Sequence, residues 1–499
     1  MRVRLIGHEY KYAVEQMIST LFPGEKPEYC SSGTEEMLNC GQRGMIVSVS
    51  PGSRYITAVC SYFADGKRWN GRAAAPLGFI TGETETGSVC QKIIKTAIYR
   101  AALRSGYTRP PWGSLTGVRP GKLMSGIMRV EQNRERAVER FTNEYDVSRE
   151  RAELCYETSC FTEEAAASLT DRDICLYVGI PFCPTRCAYC SFVSQSVEKS
   201  MALIEPFLEA LYKEIRATAR KAKELNLNVV AIYMGGGTPT TLSAEQLDGL
   251  CSELAREFNL SALREYTVEA GRPDTITSEK LAVLKKHGID RVSVNPQTMR
   301  NSVLEAIGRK HTAEDIISAL ETVRAAGDIS INMDIIAGLP TDTPKGFRET
   351  VDAVLRLNPE NITVHTLSLK RGSGIMRNGT EIPDATEVSV MLEYAYRRLR
   401  EQGYSPYYLY RQKNMSGGFE NTGWTKPGHV NLYNICMMEE LCTILAMGGG
   451  GSTKLIRTDG AKNSRITAPK YPTEYIQQID KTCCDKNEIS DFYTRWWEE

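Results

Sequence analysis

Cys183, Cys187 and Cys190 stand in C-x3-C-x2-C spacing inside Y-V-G-I-P-F-C-P-T-R-C-A-Y-C-S-F, the run from Tyr177 to Phe192. Behind Pro181, and after an apolar run from Ile174 to Ile180 that reads as a buried strand, three thiols fall on one loop and can converge on one point. Thiolates are soft ligands that select zinc, copper(I) or iron–sulfur clusters. A closed zinc site needs a fourth Cys or His nearby, which residues 191–200 do not supply. A [4Fe–4S] cluster held by three cysteines keeps one iron open for a substrate or cofactor. It fits the spacing better than zinc, and better than three unlinked core thiols.

Further candidates follow. Gly235-Gly236-Gly237-Thr238-Pro239 comes directly after a second strand-like run, and its glycines let a backbone approach a ligand and offer N–H groups to a carboxylate. Glu269, Gln297, Arg309 and Asp334 lie at or just after later strand ends. A carboxylate there is costly unless paired or hydrogen-bonded. Amines and hydroxyls of a bound nucleoside or amino acid would satisfy it, and so would pairing among these residues, Arg309 with Asp334 for instance. Arg411, Lys413 and Lys454, in Y-Y-L-Y-R-Q-K-N (Tyr407 to Asn414) and M-G-G-G-G-S-T-K (Met447 to Lys454), are candidate partners of substrate carboxylates, the alternative being a solvated surface.

The elements that must position these residues alternate. Strands read at Ile174–Ile180, Asn228–Met234, Glu265–Ala270, Arg291–Asn295, Ile329–Ile335 and Asn361–Leu367, with helices at Met201–Leu225, Ala244–Phe258, Ser278–His287, Ala313–Ala325 and Lys345–Leu357 between them. Six such repeats predict an α/β fold, an incomplete (β/α)6 barrel of the TIM type, with its chemistry at the carboxyl ends of the strands. Ahead of it, a strand at residues 2–7, a helix at Lys11–Leu21, a hairpin of Gly44–Ser50 with Tyr55–Phe63 and a helix at Val89–Leu103 predict a small α+β unit. Glu131 to Thr170 reads as a helical connector. The expected division is 1–130 as the α+β domain, 131–172 as the connector, 173–375 as the barrel and 376–499 as a mainly helical domain that covers the substrate.

Lys plus Arg equals Asp plus Glu at 61 each, which gives no reason to expect nucleic acid or an anionic membrane. No run of eighteen apolar residues is present, so no membrane span is expected. Fifteen cysteines without an export signal argue for free thiols and metal ligands in a reducing, cytoplasmic setting rather than a disulfide framework.

The cysteine motif with its flanks, G-G-G-T-P and the order of the polar residues resemble the radical S-adenosylmethionine (SAM) superfamily. Within it, Y-V-x-I-P-F-C resembles the oxygen-independent coproporphyrinogen III oxidase (coproporphyrinogen dehydrogenase) family. Y-R-Q-K-N and the extension formed by residues 1–170 resemble its HemZ-type branch. The resemblance implies that Cys183, Cys187 and Cys190 hold a [4Fe–4S] cluster, that Gly236 and its neighbours hold the amino-acid part of SAM, and that Tyr177 and Glu269 contact the cluster-bound SAM. It places Tyr189, Gly237, Thr238, Gln297, Arg309, Asp334 and Ser368 around a second SAM. It further implies oxidative decarboxylation of two coproporphyrinogen III propionates to vinyl groups, with a flavodoxin or ferredoxin as electron donor. Two positions depart from the family: Gly179 stands where its well-known members have His, and Phe192 where they have a fourth, non-ligating cysteine. A branch lacking that cysteine acts as a haem chaperone, the alternative expectation, and His429-Val430-Asn431-Leu432-Tyr433 is loosely similar to that branch's haem motif.

Overall fold

A computed structural model describes the chain except residues 23, 32, 40–42, 78–82, 118, 186, 191–194, 197–199, 369–380, 413–415, 459–462 and 499. It forms two compact units, Met1–Tyr156 with Arg411–Phe419, and Glu157–Tyr410 with Glu420–Glu499. In the first unit β1 (Arg2–Ile6), β2 (Glu28–Tyr29), β3 (Gly44–Pro51), β4 (Tyr55–Ala64) and β5 (Lys67–Pro76) form a sheet in the order β2-β1-β3-β4-β5. The expected hairpin is β3 with β4, antiparallel in the register Val47↔Cys60. The helix Lys11–Leu21 buries Ala13, Val14, Met17, Ile18 and Leu21, an i, i+3, i+4 stripe, into a core shared with Val47, Cys60 and Ile98. β5 escaped the sequence reading because K-R-W-N-G-R-A-A-A-P carries charges and small residues in place of β-branched ones. The stretch expected to be helical at Glu131–Thr170 contains the helices Arg134–Tyr145 and Arg149–Ala167.

The second unit holds the alternating repeats. Its strands are β6 (Asp173–Ile180), β7 (Phe182–Cys183), β8 (Gln195–Ser196), β9 (Asn228–Gly236), β10 (Glu265–Glu269), β11 (Arg291–Ser293), β12 (Ser330–Ala337) and β13 (Asn361–Thr366). They continue with β14 (Ser405–Arg411), β15 (Glu420–Thr425), β16 (Thr443–Gly448), β17 (Ser452–Leu455) and β18 (Ser464–Thr467). Eleven of them make one sheet in the order β14-β15-β13-β12-β11-β10-β9-β6-β16-β17-β18. From β13 to β6 its neighbours run parallel in chain order, which is the expected run of six. A seventh parallel strand was not expected: β16 returns from the C-terminal region to lie against β6, in the register Tyr177↔Ala446. The C-terminal region is mainly helical, yet it also extends both edges of the sheet. Capping boxes at Ser243 and Thr312 start two of the barrel helices where the sequence reading placed them.

At the amino ends of the strands the barrel is closed by the segment His429–Tyr433, which leads into the helix Leu432–Glu439. Arg291 and Glu265, the first residues of β11 and β10, form a buried ion pair at 3.0 Å. Glu265 accepts the N–H groups of Leu432 (2.7 Å) and Tyr433 (3.3 Å), two of the orphan donors that open that helix. Arg291 donates to the carbonyls of His429 and Val430 at 3.0 and 3.3 Å. Burial, only partly offset by Arg291, pushes the Glu265 carboxyl up to about 7. Removing one partner of such a pair leaves a buried charge unmatched and typically costs about 3–5 kcal/mol. Arg291→Met is therefore expected to lower the urea midpoint of the barrel transition by an amount worth about 3–5 kcal/mol. An unchanged midpoint would show that the pair does not hold the plug.

Candidate functional site

The carboxyl ends of β6 and β9 carry the cysteine loop and the glycine loop, and the two loops are tied together through their main chains. Gly237 N–H donates to the Ile180 carbonyl and Thr238 N–H to that of Phe182, both at 2.7 Å. These N–H groups are therefore committed within the protein. Of the three glycine N–H groups expected to meet a ligand carboxylate, that of Gly237 is thus taken within the protein, and that glycine serves close approach of the two loops. A Cβ on Gly237 would lie 2.4 Å from the Phe182 carbonyl oxygen, and Gly236, at φ +98°, leaves its missing side chain 3.1 Å from the Tyr177 hydroxyl. Phe182 is buried edge-on against Phe207 with ring centroids 5.3 Å apart, which anchors the start of the cysteine loop.

Thr238 Oγ1 donates to Cys183 Sγ at 3.5 Å, and Cys190 N–H closes a turn on the Cys187 carbonyl at 3.2 Å. Arg272 Nη1 donates to Cys187 Sγ at 3.3 Å, and Arg272 also contacts Thr185. Arg309 donates to the Tyr189 hydroxyl at 3.1 Å and to the Asn295 carbonyl at 2.6 Å. Burial opposes ionisation of Cys187, but Arg309 and Arg272 together hold its thiol below the ordinary range. A thiolate is the form that ligates a metal, so the donor set fits a cationic cluster. Arg272 escaped the sequence reading, although an arginine two residues from the end of Ala270, just past a strand carrying Glu269, was the available signal.

Deeper in the mouth, Tyr177, Tyr233 and Tyr433 stack, with Tyr233 and Tyr433 centroids 4.6 Å apart at 18°. The Tyr233 hydroxyl donates to Glu269 Oε1 at 2.6 Å. Burial pushes the Glu269 carboxyl up to about 7, with Asp334 adding to the rise and Tyr233 opposing it. Asp334 does not meet Arg309. Its carboxylate accepts from Asn332 Nδ2 at 2.8 Å and lies 3.6 Å from His365 Nε2, which with Asn332 and Thr363 keeps it below the usual carboxylate range despite burial. The Arg309–Asp334 pair considered above is thus replaced by two separate sets, because Arg309 turns toward the cysteine loop. Gln297 is left-handed at φ 66° and continues the β12 ladder, its N–H on the Asp334 carbonyl and its carbonyl on Ile336 N–H. Ser368 follows β13 and is half-buried.

The three substrate candidates fare differently. Arg411 is buried, with its guanidinium on the carbonyls of Leu115, Gly117 and Gly418 and over the Trp112 ring, so a substrate carboxylate would have to displace these contacts. Lys454 donates to the Met437 carbonyl at 3.1 Å and pairs in register with Ile444, itself opposite Cys175, so it caps a helix at the closed end of the barrel. Lys413 lies outside the described residues. Sequence reasoning missed Tyr233 and Asn332 and leaves His365 undecided. Their period-two parity with Gly235, Asp334 and Thr363 on the same strands was the signal.

The model of the radical SAM superfamily matches residues 177–354. The chain is 42% identical over 377 residues to an oxygen-independent coproporphyrinogen-III oxidase-like protein HemZ of Bacillus subtilis, covering 74% of this chain and 75% of that one. It is 31% identical over 256 residues to the heme chaperone HemW of the same organism, covering 50% and 66%. A solved coproporphyrinogen III oxidase (HemN) of Escherichia coli, a radical SAM enzyme, shares the fold at a TM-score of 0.52 and 24% identity, over 65% of this chain and 73% of that one.

Gly237→Ala is expected to displace the cysteine loop, since the new Cβ meets backbone carbonyls that cannot move without breaking both 2.7 Å bonds. Iron and sulfide retained after anaerobic reconstitution should fall several-fold while the far-ultraviolet circular dichroism stays unchanged. Full iron retention would contradict this account of the glycine.

Proposed function

We propose, from the premise that this chain belongs to the radical SAM family of oxygen-independent coproporphyrinogen-III oxidase-like proteins, that it decarboxylates two propionates of coproporphyrinogen III to vinyl groups. The family's cofactors are a [4Fe–4S] cluster and SAM. Once bound, they supply a carbon radical that takes a hydrogen atom from an unactivated C–H bond. Each conversion removes one hydrogen atom from the propionate β-carbon, passes one electron to an external acceptor and releases CO2. The observation that carries the reading is the Cys187 thiol between two guanidinium groups at the barrel mouth.

Cys183, Cys187 and Cys190 would hold the cluster. Arg272 and Arg309 balance the charge of its ligand, and the tied loops would exclude water. Tyr177, Gly236 and Glu269 would orient SAM; Arg309, Asp334, Gln297, Tyr189, Gly237, Thr238 and Ser368 would surround a second SAM. A flavodoxin or ferredoxin is the proposed electron donor.

Phe192 in place of the family's fourth cysteine, together with the HemW resemblance, favours a second reading, a haem carrier. Against its use of His429–Tyr433, that segment is committed to the barrel floor by Arg291, Glu265 and Asn361. Anaerobic incubation with SAM, a reductant and coproporphyrinogen III separates the two. Release of CO2 with a matching product mass, absent in Cys187→Ala, supports the enzyme. A stoichiometric haem complex without CO2 supports the carrier and overturns the proposal.

Burial raises the Glu269 carboxyl to about 7, and only its ionised form pairs with the cationic amine of SAM through a charge-assisted hydrogen bond. SAM affinity is expected to fall about ten-fold for each pH unit below 7 and to level off above it, since one unit corresponds to about 1.4 kcal/mol. Glu269→Gln should flatten the profile in calorimetric titrations. A wild-type profile flat from pH 6 to 8 would remove Glu269 from the SAM contacts.

A further inference from the structure

Away from the cysteine loop, three more thiols meet at the closed end of the barrel. Cys175 is the third residue of β6, Cys436 lies on the helix Leu432–Glu439, and Cys442 directly precedes β16. All three are buried, their sulfurs lie within 4.8 Å of one another, and Cys175 and Cys442 Sγ are 3.6 Å apart. The convergence is built by local chain geometry. Glu440 ends the helix in the left-handed region at φ 56°, and Leu441 N–H returns to the Cys436 carbonyl at 3.3 Å, which folds Cys442 back beside Cys436. The pairing of β16 with β6 then brings Cys175 onto the same point from the neighbouring strand.

Buried cysteines commonly act as small apolar side chains, and two in contact would need no further reason. Three on one point are different. For a metal–sulfur bond of about 2.3 Å, sulfurs around one ion stand about 3.8–4.0 Å apart, and the three sulfurs here, one pair at 3.6 Å and all within 4.8 Å, reach that spacing by side-chain adjustment alone. A four-iron cube is excluded at this spacing, because its ligands stand farther apart than those of one ion. The surroundings are apolar, with Val230, Ala231, Ile444 and Tyr433 packed on the group, and no His, Asp or Glu joins it among the described residues. Hard cations are therefore disfavoured, whereas soft thiolates select zinc and copper(I).

We propose that Cys175, Cys436 and Cys442 form a second metal site that binds one thiophilic d10 ion, Zn(II) or Cu(I), through three sulfurs. The ion would fasten the helix that plugs the barrel to β6 and β16. It would sit directly beneath the tyrosine stack, since Cys175 and Tyr177 share one face of β6. This proposal is independent of the reaction assigned to the mouth, because it uses none of the residues there.

The test uses the full chain with Cys183, Cys187 and Cys190 changed to Ala, so that cluster thiols do not compete, and with the fold checked by circular dichroism. Zn(II) and Cu(I) are titrated separately under anaerobic conditions against a chromogenic chelator. One equivalent held per chain, of either ion, is the expected result, and which ion is held identifies the occupant. Cys436→Ala and Cys442→Ala in that background should each weaken binding at least ten-fold, because losing even an outer partner of a metal ligand costs about 10–100-fold. X-ray absorption of the loaded background chain should show sulfur neighbours alone at about 2.3 Å. No retention of either ion, unchanged affinity in both variants, or a nitrogen or oxygen shell in the absorption spectrum would each overturn the site. The absorption result decides the matter even where a variant fails to fold.

Discussion

Two main-chain hydrogen bonds, from Gly237 and Thr238 to the carbonyls of Ile180 and Phe182, set the position of everything at the mouth of this barrel. They clamp the loop after β9 onto the loop after β6, so the cysteines, Tyr177 and the glycines move as one body. The clamp needs a residue without a side chain at 237. It also needs Phe182 to be held from behind by Phe207, which fixes the phase in which Cys183 leaves the strand. Arg272 and Arg309 then approach the same loop from the third and fourth repeats, and their charge lowers the energy of a thiolate at Cys187. Two buried guanidinium groups, of which Arg272 has only a 3.8 Å contact to the exposed Asp274, are unfavourable by themselves. An anionic sulfur offsets that cost, which is why cationic wall and cysteine loop belong to one site.

The barrel's inner face is polar along its length, and the structure manages this differently at its two ends. At the amino end Glu265 and Arg291 form an ion pair with each other, and both bond to the plug segment. At the carboxyl end the matching is incomplete. Glu269 has one phenolic donor and a raised carboxyl, and Arg309 Nε is buried without a hydrogen-bond partner among the described residues. Polar groups left short of partners within the protein mark the end at which a ligand completes them. The same contrast explains why Lys454, which the sequence offered as a substrate contact, instead caps a helix at the matched end.

Much of this was legible in the chain. The six strand–helix repeats follow from apolar runs punctuated by helix caps and glycine, and the open-iron reading follows from three cysteines with no fourth ligand near them. What escaped has a common cause. β16 joins the sheet beside β6 across some 270 residues of sequence, and no local pattern encodes a pairing of that separation. Arg272 and His365 are ordinary polar residues until the barrel curves their strands onto one opening. Arg411 shows the reverse error: its charge suggested a ligand, whereas three carbonyls and an indole ring absorb it. Type and spacing identify ligands that act together on one loop. Residues that act from separate strands are identified only by register.

The central claim is that three loop cysteines leave one iron of a [4Fe–4S] cluster free for SAM. Mössbauer spectroscopy of the chain reconstituted with 57Fe, recorded with and without SAM, tests it most directly. The account predicts a four-iron spectrum in which one iron alone changes on adding SAM, while those bound to Cys183, Cys187 and Cys190 keep their parameters. A spectrum that SAM leaves unchanged, or one of a single tetrahedral iron, would contradict it.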